Sequence, residues 1–375
     1  MEAPAGPGSG QPHLFAGPDE RVGLSWIEPV DSSRDAFQYA AFDGSSWSEP
    51  KTVATGTDWF VNWADVPSLR PLPDGRHVAH YLESSGPGVF AYDVRLTQAT
   101  PDGNWQPAVT PHRDGTPTEH GFVSLLPWQD DVLAVWLDGR QMDPDAGGHG
   151  GGPMTLRSAL LTPDGQIEQA TLLDDRVCEC CPTSAVRTAE GALVAYRNRS
   201  ANEIRNIGLI RFDGTQWSDP YLLHDDGWQI NGCPVNGPAL AANGARVVAA
   251  WFTAPDGSPR VQAAFSDNSG RRFGDPVVID GNRPTGRVDV VLLDDGSALV
   301  SWIGQDEDGS ALRVRHVQPD GTAGRPRTVA TVSRSRATGM PRMVRAGDRV
   351  YWAWVGERGE ASQVQVAHAA LDALR

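Results

Sequence analysis

Short apolar runs that end in an aromatic residue recur along the whole chain: VGLSW to Trp26, HVAHY to Tyr81, VLAVW to Trp136, ALVAY to Tyr196, VVAAW to Trp251, ALVSW to Trp302 and VYWAW to Trp354. Successive aromatic ends lie 55, 55, 60, 55, 51 and 52 residues apart. A tight turn such as LPDG, TAEG or LDDG precedes each run, and another apolar strand (FVSLL, PALAA, VDVVLL) precedes the turn. After the aromatic run come a loop, a third strand such as RVQAAF, often an Asp-Gly turn, and a fourth strand such as DPVVID. Alternating β-branched and aromatic residues bounded by Gly, Asp, Asn and Pro are strand and hairpin signals. No segment of comparable length carries a helical period. Four antiparallel strands in every ~50 residues predict an all-β fold, a β-propeller of four-stranded antiparallel blades. Seven blades is the count expected, with six as the alternative. Residues 12–375 are expected to form one propeller domain behind a flexible tail, 1–11. The last unit lacks a fourth strand, which the tail could supply to close the ring.

Composition narrows the partners. The net charge of −15 argues against nucleic acid or an anionic membrane as partner. The basic residues are arginines apart from Lys51. No apolar run approaches the ~20 residues that a membrane span needs. The stretch MEAPAGPGSGQ looks like a linker or a mature end behind a removed signal, although no signal is visible. An even cysteine count in an all-β chain points to an oxidising compartment, so a periplasmic or secreted protein is expected.

One turn carries a resemblance. FSDNSGRRF, with Ser266, Asn268, Gly270 and Phe273, resembles the Asp-box (BNR repeat) of sialidase-like propellers, with Asn in the Asp position; FDGSSW and FDGTQW are looser versions. The resemblance covers the whole chain at the level of repeat architecture. It implies the fold, because those boxes stabilise turns away from the active site. The sialidase pattern also implies three arginines gripping a carboxylate, a Tyr/Glu pair and an acid/base Asp. Here no early Arg-Ile-Pro segment exists, no tyrosine is obviously placed beside Glu119 or Glu203, and seven units depart from that family's six blades.

Chemistry concentrates in the loops that lead into the first strands. In a propeller those strands line the central channel, and these loops open on one face with the second-to-third-strand loops. VCECCPTSA enters unit 4 and NGCPVNGP enters unit 5, so Cys178, Cys180 and Cys181 should meet Cys233 at the channel mouth. Adjacent Cα atoms are ~3.8 Å apart, short of disulfide range, which disfavours Cys180–Cys181. Cys233 then pairs with Cys180 or Cys181, leaving Cys178 with the other. Such a bond closes a loop of about 53 residues and contributes roughly 4 kcal/mol by loop-closure entropy. The alternative is a soft-metal site, copper the sharper choice, on Cys178, Cys180, Cys181 and Cys233 with His120 and Met340.

The remaining mouth residues suit a polar ligand. Asp65, Glu119, His120 and Asp138 are the catalytic candidates. Trp63, Arg197, Arg199, Arg287, Asp289 and Arg342 are the ligand-binding candidates, the arginines as grips for a carboxylate. The Gly-rich loop after Trp136, carrying Asp138, Arg140 and His149, is a candidate lid. The expected function is binding or hydrolysis of a polar ligand, a glycan first, at the channel mouth, and any enzyme activity would be glycoside-hydrolase-like. A copper protein and a non-catalytic protein-binding propeller are the alternatives.

Overall fold

Every run identified above is a strand in the computed structural model, which describes residues 1–17, 19–143, 151–306, 309–333, 335–358 and 361–375. Blade 1 comprises Gly10–Ala16, Val22–Pro29, Asp35–Phe42 and Lys51–Gly56. Blade 2 has Ser68–Pro71, His77–Ser84 and Tyr92–Ala99, with isolated bridges Leu96–Val109 and Ala99–Trp105 at its outer edge. Blade 3 comprises His120–Trp128, Asp131–Asp138, Met154–Leu161 and Ile167–Val177. Blades 4, 5 and 6 begin at Ser184–Thr188, Ala239–Asn243 and Gly286–Leu292, and each adds three antiparallel strands in chain order. Blade 7 comprises Arg342–Ala346, Arg349–Arg358 and Ala361–Ala370. The fold is all-β, a seven-bladed propeller.

The strands divide into two compact units, 1–175 with 352–366, and 176–351 with 367–375. In each, the second strand of a blade is buried on both faces. Trp26 and Trp136 are fully buried in the first unit, and Trp251 and Trp302 in the second. Each indole N–H finds a carboxylate: Trp26 with Glu28 and Trp136 with Asp138, both at 2.8 Å, Trp251 with Asp226 at 2.7 Å, and Trp302 with Asp280 at 2.6 Å. A buried indole needs such an acceptor, since an unpaired donor costs about 1–3 kcal/mol.

First strands are strapped to their neighbours by polar side chains. In the first unit Gln11 Nε2 donates to the Asp65 carbonyl at 3.0 Å, and the Phe122 amide donates to both Asp65 carboxylate oxygens at 2.8 and 2.9 Å. In the second unit the Arg287 amide donates to Asn236 Oδ1 at 2.6 Å and the Met343 amide to Asp289 Oδ2 at 2.8 Å. Phe122 and Arg287 hold φ of 53° and 54° at irregularities in their strands' register, which turn these amides out of the ladder toward the neighbouring blade.

The N-terminal segment lies along the last strand. The Gly8 amide donates to Ser362 O at 2.8 Å, the Val364 amide to Ser9 Oγ at 3.0 Å, and Gln363 Nε2 to Ala5 O at 2.6 Å; Ala5 and Ser9 are buried.

Candidate functional site

The predicted site residues of the first unit separate into two clusters. In the first, the Tyr92 hydroxyl donates to Glu119 Oε1 at 2.7 Å and lies 3.3 Å from Asp65 Oδ2. A tyrosine therefore does stand beside Glu119, which corrects the sequence expectation. Tyr92 opens the third strand of blade 2, 27 residues before Glu119, and only the blade-to-blade packing reveals the pair. Its ring stacks on Phe60, centroids 3.9 Å apart, and it is 1% exposed. Burial pushes Asp65 up to about 7 against the Phe122 amide and the Tyr92 hydroxyl, and pushes Tyr92 well above its ordinary value. A phenol so protonated and enclosed acts as a strap between blades 2 and 3.

The second cluster holds His120 and Asp138, and adds His112, Asp93, Asp114, Arg140 and Arg157. The imidazoles of His112 and His120 stack face to face, centroids 3.8 Å apart and planes 5° from parallel. His120 is fully buried, with Nδ1 3.1 Å from Thr118 O and Nε2 3.4 Å from Asp114 and 3.7 Å from Asp138. Arg140 grips Asp138 bidentately at 2.6 and 2.7 Å and reaches Asp114 at 3.2 Å. Burial pushes His112 down to about 4, helped by the charge of His120. Burial lowers His120, but its hydrogen bond to Asp114 and the charges of Asp138, Asp114 and Asp93 raise it. Asp138 resists burial through the Arg140 hydrogen bond and the charge of His120, and stays below its ordinary value. One imidazole is thus pushed down directly against one pushed up. Divergent pKa values in touching groups are the arrangement from which acid and base roles follow.

Ligand atoms of Asp93, His112 and His120, and of Asp114, His120 and Asp138, lie close enough to share an ion. Geometry argues against one. A metal sits in the plane of each imidazole that binds it, and parallel stacked rings share no such point. The cation between Asp114 and Asp138 is already the Arg140 guanidinium.

His112 faces a cavity of about 270 Å³ lined also by Arg113, Trp136, Arg140, Arg157 and Ser158. Among the described residues three arginines and a histidine line it, with Arg140 and Arg157 both paired to Asp138 behind the wall. A larger cavity of about 640 Å³ in the second unit borders the Asp-box turn at Asn268 and mixes Arg246 and Arg272 with Asp267, Asp275 and Asp295. Its opposed charges favour no ligand class, so it is the weaker candidate. Residues 144–150 of the Gly-rich loop, including His149, lie outside the described residues.

In the second unit the cysteine segments of blades 4 and 5 meet. Cys180 and Cys233 form a disulfide across 53 residues, one of the two expected pairings. Cys178 and Cys181 are free, buried thiols with sulfurs 3.0 Å apart, and Cys178 Sγ lies 3.9 Å from Cys180 Sγ. Burial raises Cys178, but the Cys181 hydrogen bond, Arg205, the Cys180 amide and Arg197 bring it down to about 6; Cys181 rises well above its ordinary value.

The other predicted residues are mostly committed to the protein itself. Arg197 is 1% exposed and donates to three backbone carbonyls. Arg199 pairs with Glu179 and Glu203, as does Arg205. Arg287 is buried, donates to Gly339 O at 2.9 Å, and is pushed down to about 10 by burial and Arg336. Asp289 accepts the Met343 amide. Met340 is buried, and Trp63 and Arg342 are half-buried. Among the described residues, no set within ligating reach joins His120 to a cysteine.

His112, Asp93, Asp114 and Arg157 escaped sequence reasoning. The polar stretch PHRDGTPTEH, running from His112 to His120, was the available signal.

Fold and site together define a seven-bladed propeller with a basic, histidine-containing cavity in its first unit. No protein-family model matches the sequence, and no curated protein does. Solved structures do match. An ulvan lyase of a polysaccharide lyase family, bound to -[GlcA(1-4)Rha3S]-, has a TM-score of 0.61 at 11% identity, covering 99% of this chain and 96% of its own. An α-L-arabinofuranosidase from Fusarium graminearum has 0.54 at 12%, covering 98% and 94%. The NanB sialidase from Streptococcus pneumoniae has 0.51 at 12%, covering 100% and 70%. At such identity they share the fold with this chain.

Proposed function

We propose that this propeller is an extracytoplasmic protein that binds and processes an acidic glycan, with an anionic sugar unit seated against His112, Trp136, Arg140 and Arg157. The observation that carries this reading is the lining: among the described residues, three arginines and one neutral imidazole around a cavity of about 270 Å³, with Asp138 pairing Arg140 and Arg157 from behind. A carboxylate or sulfate on a sugar matches guanidinium donors, and the Trp136 ring offers the apolar wall that ligand cavities generally include. His112, uncharged at neutral pH, is the group able to accept a proton from the ligand, and His120, its pKa raised, stacks behind it near Asp114 and Asp138. This replaces the channel-mouth grouping with the His120–Asp138 half of the predicted catalytic set. Glycan-directed enzymes among the structural neighbours support the substrate class. The Cys180–Cys233 disulfide supports an oxidising compartment, and no described helix is long and apolar enough to cross a membrane.

The test is a panel of uronate-, sialate- and sulfate-bearing polysaccharides beside neutral ones, read by retention, by new reducing ends and by the absorbance of unsaturated uronate. Retention or cleavage confined to acidic members, lost in Arg157→Gln, is expected. Preference for neutral members would refute the assignment.

A further inference from the structure

Four sulfurs stand in series where the entry segments of blades 4 and 5 meet. Cys181 Sγ lies 3.0 Å from Cys178 Sγ, Cys178 Sγ lies 3.9 Å from Cys180 Sγ, and Cys180 is bonded to Cys233. Cys178 and Cys181 are each 1% exposed and Cys180 6%, whereas Cys233 is half-buried. The backbone around them is pinned. The Cys178 amide donates to the Arg197 carbonyl at 2.9 Å, Arg205 holds the Glu179 carboxylate at 2.9 Å, and a Cβ on Gly237 would meet the Pro182 carbonyl. Cys178 and Cys181 thus face each other in a fixed C-x-x-C loop, and their sulfurs need approach by only about 1 Å to bond. An external oxidant does not reach sulfurs so enclosed; Cys233 is the one it can meet. Thiol–disulfide exchange proceeds by attack of a thiolate on a disulfide sulfur, so touching sulfurs define the route inward. Cys181 is a poor partner for Cys180, since neighbouring Cα atoms ~3.8 Å apart are short of disulfide range. The sulfur left to take over the Cys180 bond is Cys178.

We propose that the four cysteines form a disulfide relay, in which the Cys180–Cys233 bond passes its oxidation inward to Cys178 and Cys181 and is then restored by an external disulfide of the glutathione class. Cys178 gives up its proton and attacks Cys180 Sγ. The Cys178–Cys180 bond forms, the Cys180–Cys233 bond breaks, and Cys233 leaves with the electron pair and takes up a proton. Cys181 then attacks Cys178 Sγ in the same way, forming Cys178–Cys181 and freeing Cys180 as a thiol. Cys233 attacks the external disulfide, which loses one thiol, and Cys180 closes on Cys233 and releases the other. In sum, two buried thiols are oxidised to a disulfide while one external disulfide is reduced to two thiols. The oxidised chain carries one bond within the blade 4 entry segment and one from that segment to blade 5.

The test uses the full chain with oxidised glutathione, quenched in acid at intervals, alkylated and mapped by mass spectrometry. The parent chain should gain a Cys178–Cys181 bond and keep Cys180–Cys233. Cys181→Ser should stall after the first step, with a Cys178–Cys180 bond and glutathione attached to Cys233. In Cys180→Ser with Cys233→Ser, the buried pair should oxidise at least about tenfold more slowly than in the parent. Weaker folding of that double variant would expose the pair and speed its oxidation, so a slower rate cannot come from instability. The proposal is overturned if Cys178 and Cys181 stay reduced in the parent, or if they oxidise as fast in the double variant. It is overturned equally by Cys181→Ser that keeps Cys180–Cys233 intact, or that takes glutathione on Cys178.

Discussion

At the residue scale, the turn chemistry was legible because it is local. In the box at Ser266, the Ser266 hydroxyl donates to Asn268 Oδ1 at 2.9 Å, the Gly270 amide returns to Ser266 Oγ at 3.1 Å, and the Arg272 amide donates to Asn268 Oδ1 at 3.0 Å. Gly270 sits at φ +77°, where a side chain would strain the backbone and a Cβ would meet Leu193. Asn268→Ala should cost about 1–2 kcal/mol of stability, read from urea unfolding midpoints. The looser FDGSSW turn works through Asp43, whose Oδ1 accepts the Ser45 and Ser46 amides at 2.8 Å. The histidine pair was only half legible, since stacking His112 on His120 depends on the path between them. It has a pH signature. His112 folds with its pKa below the ordinary 6.5, so as pH falls the unfolded chain takes up that proton first. Its contribution is intact above the unfolded value and is lost as pH falls from 6.5 toward about 4. Unfolding at about pH 7.5 and about pH 5 should show His112→Gln losing less stability on acidification than the parent chain. An equal loss would place the ring in solvent.

At the element scale, strands announced themselves through period and terminal aromatics, whereas the straps between them did not. Nothing in VNWADVPS marks Asp65 as the acceptor for the Phe122 amide, 57 residues on; that pairing exists only once blades 2 and 3 pack. The same holds for Arg197 and Arg287, expected to grip a ligand and instead spent on backbone carbonyls that irregular strand ends leave over. The cysteine segments were legible because repeat position alone brings blades 4 and 5 together there. Cys180→Ser with Cys233→Ser should lower unfolding stability by about 2–4 kcal/mol through lost loop closure, measured without reductant. No change in midpoint would mean that the bond clamps nothing.

At the scale of the whole molecule, seven sequence repeats gave seven blades because each repeat can bury its faces only against its neighbours. Core clusters in both units cross blade boundaries: Trp136 packs with Leu82 and Tyr92, and Trp302 with Val248 and Trp228. Trp302→Ala should cost about 3–5 kcal/mol, visible as a lowered Tm. Function was less legible, because a propeller lends itself to many chemistries and the site must be argued from side chains. The central claim is that the cavity at His112, Arg140 and Arg157 recognises negative charge on a sugar. Calorimetric titration with an acidic oligosaccharide, against the same oligosaccharide with its carboxyl reduced to an alcohol, tests this most directly. The account predicts binding at least about tenfold tighter for the acid, with the difference abolished in Arg157→Gln. Equal affinity for both forms, or a difference that survives Arg157→Gln, would contradict it.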